Sequence, residues 1–334
     1  MSFEDLINLE INLIYLIIIL CYSALVMFFG IYFVDKYLQS YFGICTSNNK
    51  TSLFHKDFIR GLGIIYPIAI MPIFFLEKNL FNFADIMLIF GSTLIGFYDD
   101  KYDISQLTKI IILLLFPFFI YFFVTPHDLI QILIYSFGFL LCVLFFNQID
   151  GINGLAVLTF LITVFFVGII SGTVIILSPI LISSLIYLKI NMKGNIGIQG
   201  EAGSFFMGSV IFILYKYSFN EWTFIYGIIL LGPVFLDVVS TSIIRGLFRE
   251  NLFKGHKNNF YQKSVSFYKK HALVSFGFAS VQLILCIIVT FNISYFKAKV
   301  GILYLMPVEI IFFIFFLYLA YLIHKNKILY HIDN

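Results

Sequence analysis

Long apolar runs separated by short polar segments make up the whole chain, and this pattern constrains the fold more than any other feature. Because a bilayer core about 30 Å thick needs roughly 20 apolar residues per helix, each run is a candidate membrane-spanning helix. Eleven runs qualify, over residues 11–34, 61–76, 83–98, 109–124, 129–146, 155–170, 173–190, 203–219, 222–244, 272–291 and 300–323. We therefore predict an all-α, multispanning integral membrane bundle of about 10–11 transmembrane helices.

The composition supports the same class of protein and excludes others. The chain is 61% hydrophobic and only 12% charged, and its mean hydropathy is +0.99. A net charge of +3 over 334 residues gives no basic face for nucleic acid, so we expect membrane lipid as the surroundings and no nucleic-acid partner. Because no repeat, linker or low-complexity tract divides the sequence, we treat residues 1–334 as a single transmembrane domain.

The cations are distributed unevenly between the polar segments. With eleven spans and an outside amino terminus, 17 of the 21 Lys and Arg residues fall on the inner side and 4 on the outer side. This asymmetry follows the positive-inside rule and predicts the orientation. The inner side also collects the five polar segments with chemically active side chains, 46–60, 99–109, 147–154, 191–204 and 245–271, whereas the outer connections are short and nearly featureless.

The third span ends in two adjacent carboxylates, Asp99 and Asp100, and Asp103 follows one helical turn later. Adjacent like charges repel unless a metal ion or a shared proton relieves them, so the pair favours Mg²⁺ chemistry or a general base. A solvated helix end, with Asp side chains capping the next turn, explains the same residues. Both interpretations stay open for this segment alone.

The fifth span ends in a segment that carries an amide, Asn147, and a carboxylate, Asp150, three residues apart. Gly151 and Gly154 follow and allow backbone to approach a ligand closely. Amide and carboxylate oxygens are hard ligands of the kind that Mg²⁺ prefers. A polar turn between two helices is the alternative.

Two further carboxylates stand in positions that need an explanation. Glu201 lies beside Gly200 and Ser204 at the start of the eighth span. It can be a metal ligand next to exposed backbone N–H groups, or it can be an ordinary helix cap. Asp237 lies within the ninth span, where a carboxylate is costly unless it faces protein or water. Function and a polar contact with a neighbouring helix both account for Asp237.

The longest inner loop, 245–263, combines cations, a histidine, amides and aromatic side chains. These groups can hold a diphosphate and stack on a planar base. Basic inner loops also arise from topology and from attraction to anionic lipid, without any substrate. The loop by itself therefore favours no specific ligand.

Taken together, the order of these segments resembles the polyprenyl-phosphate N-acetylhexosamine-1-phosphate transferases of glycosyltransferase family 4. This family includes phospho-MurNAc-pentapeptide translocase and the undecaprenyl-phosphate GlcNAc-1-phosphate transferases. The similar segments are Asp99-Asp100-x-x-Asp103 with Lys109 after it, Asn147-x-x-Asp150-Gly151-Ile152-x-Gly154-Leu155, Gly200-Glu201-Ala202-Gly203-Ser204 with Phe206-x-Gly208, Asp237, Thr241, Arg245 and His256-x-x-x-x-Tyr261-Gln262, and His55 with Arg60-Gly61-x-Gly63. The last part of the loop is similar to the bacterial subgroup linked to O-antigen and related surface glycans.

The resemblance implies transfer of a sugar-1-phosphate from a UDP-amino sugar to undecaprenyl phosphate, with release of UMP, at the cytoplasmic face of a bacterial inner membrane. By resemblance, Asn147 and Glu201 bind Mg²⁺, with Mn²⁺ as an alternative ion. Asp99, Asp100 and Asp150 position or deprotonate the lipid phosphate. The resemblance assigns substrate binding to Lys109, Arg60, Asn153, His256, Tyr261 and Gln262. The sequence leaves the oligomeric state open, with a homodimer as one option.

The chain departs from the family pattern in several places, and three of the departures are substitutions. Glu201 replaces the family's metal-binding Asp, Asn153 replaces a second Asp, and Asn259 replaces a second His. An inactive family member is therefore one alternative function. The other is a transporter or flippase for anionic lipid-linked sugars, which also needs intramembrane carboxylates and basic inner loops.

Overall fold

The computed structural model describes residues 3–45, 58–76, 81–125, 128–193, 198–219, 224–252, 256–295 and 298–325. Nearly all of these residues are helical. The α-helices are α1 (Phe3–Tyr37), α2 (Ile65–Leu76), α3 (Phe83–Tyr102), α4 (Gln106–Val124), α5 (Leu129–Ile149), α6 (Leu155–Ser171), α7 (Val174–Lys193), α8 (Gly200–Ser218), α9 (Phe224–Leu230), α10 (Gly232–Leu247), α11 (Phe260–Tyr268), α12 (His271–Tyr295) and α13 (Ala298–His324). A two-stranded hairpin of β1 (Gly43–Cys45) and β2 (Phe58–Arg60) and two short 3₁₀ turns complete the described structure.

The helices form an all-α bundle of the membrane-spanning type. Within the described residues, six stretches are long and apolar enough to cross a bilayer: Leu13–Tyr37, Gln106–Val124, Leu129–Ile149, Val174–Met192, His271–Ser294 and Pro307–His324. The predicted all-α multispanning architecture is therefore confirmed. The other predicted spans correspond to helices that are shorter, less apolar or interrupted.

The ninth predicted span is not a continuous helix, so that prediction was wrong in detail. The helix is interrupted between α9 and α10 at Gly232, which has a φ of 68°. Pro233 follows and has no N–H group for the next helical hydrogen bond. The freed carbonyl of Leu230 accepts hydrogen bonds from Gln282 Nε2 at 2.8 Å and from Thr163 Oγ1 at 3.2 Å. These side chains satisfy a polar group that lipid could not satisfy.

Helices α3 and α8 pack closely because small residues face each other along their contact. A Cβ atom placed on Gly96 of α3 would lie 2.5 Å from the backbone oxygen of Glu201. The 3₁₀ turn after β2 approaches α8 as closely, because a Cβ atom on Gly63 would lie 2.0 Å from the backbone nitrogen of Gly203. No side chain fits in either space. The close approach brings the end of α3 against the start of α8, where the sequence analysis places its candidate carboxylates.

The opposite end of the α3–α8 pair holds a buried ion pair that the sequence analysis did not anticipate. Lys216 Nζ lies 2.5 Å from Asp85 Oδ1, and the Tyr217 hydroxyl donates to Asp85 Oδ2 at 2.6 Å. Asp85 also forms a capping box with Asn82, and Lys216 contacts the Tyr121 hydroxyl at 3.4 Å. The expectation of nearly featureless outer connections was therefore wrong for this end of α3, α4 and α8.

The β1–β2 hairpin lies against the segment that leads into α8. Ile198 N donates to Ile59 O at 2.9 Å, and Gly63 N donates to Gln199 O at 3.0 Å. These bonds extend the strand pairing to residues distant in sequence. As a result Arg60, the last residue of β2, lies beside the first turn of α8.

Candidate active site

Asp100 holds the amino terminus of α8. Its buried carboxylate accepts hydrogen bonds from Glu201 N at 2.8 Å and from Ala202 N at 3.0 Å. Arg60 Nε lies 3.2 Å from the same carboxylate. A Cβ atom on Gly200, whose φ is 68°, would lie 2.3 Å from Asp100 Oδ2, so only glycine allows this approach. Both oxygens of Asp100 thus serve a helix amino terminus, where a negative charge is stabilising.

Lys109 joins two further carboxylates of the site, Asp99 and Glu201. Its fully buried Nζ lies 2.5 Å from Asp99 Oδ2 and 2.5 Å from Glu201 Oε2. The second oxygen of Asp99 accepts a hydrogen bond from Ile104 N at 2.6 Å, and Ser105 caps the start of α4, the helix that carries Lys109. A buried ammonium group needs such partners, because an unpaired buried charge is strongly destabilising.

Arg60 bridges three carboxylates, two from the end of α3 and one from the start of α8. Besides Asp100, its guanidinium contacts Asp103 at 3.2 Å and Glu201 at 3.7 Å. We call the six side chains of Arg60, Asp99, Asp100, Asp103, Lys109 and Glu201 the charged cluster. The cluster contains more carboxylates than cations, and this excess of negative charge favours the approach of a further cation.

The segment 147–154 lies next to the charged cluster. Asn147 Nδ2 lies 3.5 Å from Ser204 Oγ, and Ser204 Oγ donates to the backbone oxygen of Glu201 at 3.2 Å. The first turn of α8 thus contacts both groups of candidate residues. This neighbourhood agrees with the prediction that the two motifs share one face.

Asp150 is coupled electrostatically to the charged cluster. Burial raises the pKa of the Asp150 carboxyl well above its usual value, and the Asp100 carboxylate adds to the rise. The Gln199 amide and the Arg60 guanidinium oppose this increase in the pKa of Asp150. Asp150 therefore holds a proton more readily than an ordinary carboxyl group does.

Contacts from two further helices fix the backbone of segment 147–154, and the sequence analysis missed them. Asn191 Oδ1, from α7, accepts a hydrogen bond from Gly154 N at 2.6 Å. His271 Nδ1 accepts from Asn153 N at 3.2 Å, and Ser275 Oγ donates to Asn153 O at 2.7 Å, both from α12. Since these partners are more than 30 residues away, no local pattern in the sequence could indicate them.

Asp237 caps α11, a short helix that was not predicted. Its carboxylate accepts hydrogen bonds from Phe260 N at 2.9 Å and from Tyr261 N at 3.0 Å. Of the two interpretations left open for Asp237, the structure supports a polar contact, made with the loop helix α11. The cap places the Tyr261 and Gln262 side chains toward segment 147–154.

Tyr261 and Gln262 pack directly on that segment. The fully buried Tyr261 hydroxyl donates to Gln148 O at 2.6 Å. A Cβ atom on Gly151 would lie 3.2 Å from Gln262 Nε2. Gln262 Oε1 also accepts a hydrogen bond from Asn259 N at 3.4 Å, which belongs to the capping of α11. In this structure the two residues therefore join the inner loop to segment 147–154.

His256 is an uncharged group at neutral pH. Burial and the nearby Arg245 guanidinium lower the pKa of His256 to about 4. Its Nδ1 accepts a hydrogen bond from Asn258 N at 3.1 Å, so the neutral ring carries its proton on Nε2. His256 can therefore donate one hydrogen bond to an anion but adds no positive charge.

The residues of the cluster and of segment 147–154 fit a divalent cation chemically. Mg²⁺ takes a few oxygen ligands from protein and the rest from water and phosphate. Asn147 and Glu201 offer such oxygens, and carboxylates outnumber cations in the charged cluster. Among the described residues no three His, Cys, Asp or Glu side chains group as a ready-made metal site, so the fit depends on ligands that a substrate would supply.

The structure thus joins Arg60, Asp99, Asp100, Lys109 and Glu201 by direct contacts, and it joins Tyr261 and Gln262 to the segment that contains Asn147, Asp150 and Asn153. His55 lies outside the described residues. Gln199 is a buried site residue that the sequence analysis missed, although it directly precedes the Gly200-Glu201 motif. Comparison with known protein families and with curated proteins finds no match to this chain.

Proposed function

We propose that this protein is an Mg²⁺-dependent membrane transferase that moves a sugar-1-phosphate from a UDP-amino sugar to undecaprenyl phosphate and releases UMP. The observation that carries the proposal is the charged cluster, in which Lys109 and Arg60 lie among four carboxylates at one end of an apolar helical bundle. A water-soluble nucleotide sugar and a lipid phosphate can meet only at a membrane boundary, where such helix ends lie.

The reaction that fits this site is a displacement at phosphorus. An oxygen of the lipid phosphate forms a bond to the β-phosphorus of the UDP-sugar, the bond from that phosphorus to the bridging oxygen breaks, and UMP leaves. Because a lipid phosphate is already a nucleophile at neutral pH, the protein has mainly to position the two substrates. Lys109 and Arg60 can exchange a carboxylate partner for a phosphate oxygen.

The remaining site residues have roles that follow from their contacts. Bound Mg²⁺, for which Asn147 and Glu201 are the proposed ligands, would neutralise charge on the diphosphate and on the departing UMP. Asp100 keeps the first turn of α8 in place, and Asp99 holds Lys109. His256 donates a hydrogen bond to the diphosphate through Nε2, and Asp150 holds a proton beside the reacting phosphates.

The proposed setting is a bacterial inner membrane, with the active site on the cytoplasmic face and UDP-sugar and undecaprenyl phosphate as partners. The product, a polyprenyl-diphospho-sugar, would begin a surface glycan such as a lipopolysaccharide O-antigen or a cell-wall polymer. The cation asymmetry of the sequence supports the orientation, and the resemblance supports the pathway class.

The test is UMP release from purified protein supplied with undecaprenyl phosphate, Mg²⁺ and a panel of UDP-sugars. We expect release with at least one UDP-amino sugar, dependent on both the lipid phosphate and the metal. Release without the lipid would indicate simple hydrolysis. No release with any sugar, from protein that is folded and inserted, would favour an inactive family member.

One observation favours the transporter alternative. Interrupted helices line the substrate sites of many transporters, and α9 and α10 are such a pair. Here, however, the freed Leu230 carbonyl is already bonded to Gln282 and Thr163. Liposomes that contain the protein and a fluorescent lipid-linked sugar separate the two functions, because a flippase moves the lipid across the bilayer without releasing UMP.

A further inference from the structure

The last turn of α13 contacts the end of α10, although the two are far apart in sequence. His324 Nδ1 lies 3.2 Å from Glu250 Oε1. The His324 ring also packs on Phe248, with 4.0 Å between ring centroids and 32° between ring planes. Two independent contacts therefore attach the carboxyl-terminal helix to the segment that leads into the inner loop.

Glu250 in turn holds Arg245. Its Oε2 atom lies 2.8 Å from Arg245 Nε, and Arg245 Nη2 donates to Asn251 O at 2.7 Å. The backbone sets this geometry: Glu250 N donates to Arg245 O at 2.9 Å, and Arg249 adopts a φ of 58°. The end of α10 thus folds back on itself, as helix ends with a left-handed residue commonly do.

This chain of contacts reaches the proposed substrate loop. Arg245 is buried, and its charge is close enough to His256 to contribute to the lowered pKa of that imidazole. Helix α13 also packs against α11, where the ring centroids of Phe316 and Phe260 lie 6.3 Å apart. The carboxyl-terminal helix therefore contacts the elements on both sides of the loop that carries His256.

We infer that Glu250 and His324 are positioning residues: His324 holds Glu250, and Glu250 fixes the Arg245 guanidinium at the end of α10. Through these contacts the last turn of α13 supports the loop that holds the nucleotide diphosphate. The effect on substrate binding rests on the proposed function. The effect on the order of the α10 end does not, and it can be measured separately.

We chose the variants to separate the contact between His324 Nδ1 and Glu250 from the packing of the His324 ring. His324→Ala removes both the polar contact and the ring, whereas His324→Asn places an amide nitrogen near the position of Nδ1 and preserves the contact with Glu250. Lys325→Ala is the matched control, because Lys325 lies on the same turn and contacts the Tyr321 ring instead. Glu250→Gln tests the second step by removing the charge that holds Arg245.

The first measurement is hydrogen–deuterium exchange of the full-length protein in lipid nanodiscs. We expect His324→Ala to speed exchange of the amides at 248–252 by roughly fivefold or more, with α3 and α8 unchanged. His324→Asn should recover most of the protection, and Lys325→Ala should match the wild type. Equal exchange in His324→Ala and Lys325→Ala would overturn the inference, whatever reaction the protein catalyses.

The second measurement is the kinetics of UMP release. Loss of a partly buried polar contact to a charged group should raise KM for the UDP-sugar roughly tenfold in His324→Ala and Glu250→Gln, with kcat within about twofold of the wild type. A fall in kcat at unchanged KM would contradict a positioning role for the two residues. A wild type that releases no UMP would refute the proposed function instead, and the exchange data would then decide this inference alone.

Discussion

At the scale of single residues, Glu201 is the position where the sequence and the resemblance differ most. Its carboxylate contacts Lys109 and Arg60, so it can serve as a metal ligand only if these cations move to a substrate phosphate. We expect Glu201→Asp to remain active with an altered preference between Mg²⁺ and Mn²⁺, because it keeps the charge on a shorter arm. We expect Glu201→Gln to be nearly inactive. Equal UMP release by Gln and Glu across a Mg²⁺ titration would remove Glu201 from the set of ligands.

Asp150 and Asp100 should respond differently to the same isosteric change. Asp150→Asn removes a carboxyl that accepts no N–H group from a helix amino terminus among the described residues, so we expect turnover to fall roughly 100-fold or more with little loss of stability. Asp100→Asn should also lower turnover, and in addition it should destabilise the fold by about 1–3 kcal/mol, because an amide cannot accept both N–H groups of α8. Thermal unfolding and UMP release of the two variants, measured together, check this difference. Identical stability losses would contradict the capping role of Asp100.

We expect the stability of the protein to depend on pH through His256. Its pKa is lowered to about 4 from the usual 6.5, so as pH falls below 6.5 the unfolded chain gains a proton before the folded one does. The stability associated with neutral His256 is therefore complete above pH 6.5 and is lost progressively as pH falls toward 4. We expect the melting temperature of the wild type to fall faster than that of His256→Gln over this range. Parallel curves would show that the imidazole is not buried in its neutral form.

At the scale of elements, the contact between α3 and α8 decides whether the site can form. We expect Gly96→Val to destabilise the protein by about 1–3 kcal/mol and to abolish UMP release, because the added side chain would meet the backbone of Glu201. Gly277→Val in α12 is the matched control, since a Cβ atom there meets nothing within 4 Å. A folded, active Gly96→Val variant would mean that α3 and α8 do not pack this closely.

The sequence predicted elements better than it predicted contacts. Apolar runs located most helices because a bilayer demands length and apolarity from each span, and these are local properties. Gly232 and Pro233 are residues that commonly interrupt a helix, but the long apolar run around them favoured a single continuous span. Helix α11 escaped prediction because its nine residues mix polar and apolar side chains without a long apolar run, and because its start is fixed by Asp237 from α10.

Contacts within the site depended on long-range packing. Asp100 was recognised as important, but nothing near it in the sequence indicates that it caps a helix 101 residues later. The same holds for Asn191 and His271, which fix segment 147–154 from other helices. Motif order could place these residues on one face of the membrane, but it could not distinguish a ligand-binding group from one that supports its neighbours.

At the scale of the whole molecule, the orientation in the membrane is testable without any substrate. We expect a cysteine placed at Asn258, in an otherwise cysteine-free protein, to resist an impermeant thiol reagent applied to intact cells and to react after the cells are opened. Lys101 and Lys193 should lie on the same side. A cysteine at Asp128, which begins α5 at the opposite end of the bundle, should react from outside. Labelling of position 258 in intact cells would exclude a cytoplasmic site.

We propose that one end of this bundle is an active site and that the other end is only structural. Lys109 and Lys216 allow a matched test, because each is a buried lysine paired with a buried carboxylate of α3, one at each end of the α3–α8 pair. The measurement is the rate of UMP release from undecaprenyl phosphate and the preferred UDP-sugar by Lys109→Met and Lys216→Met, each confirmed to be folded. We expect a loss of at least about 100-fold for Lys109→Met and a near-normal rate for Lys216→Met. Near-normal release by Lys109→Met would contradict an active site at the Lys109 end.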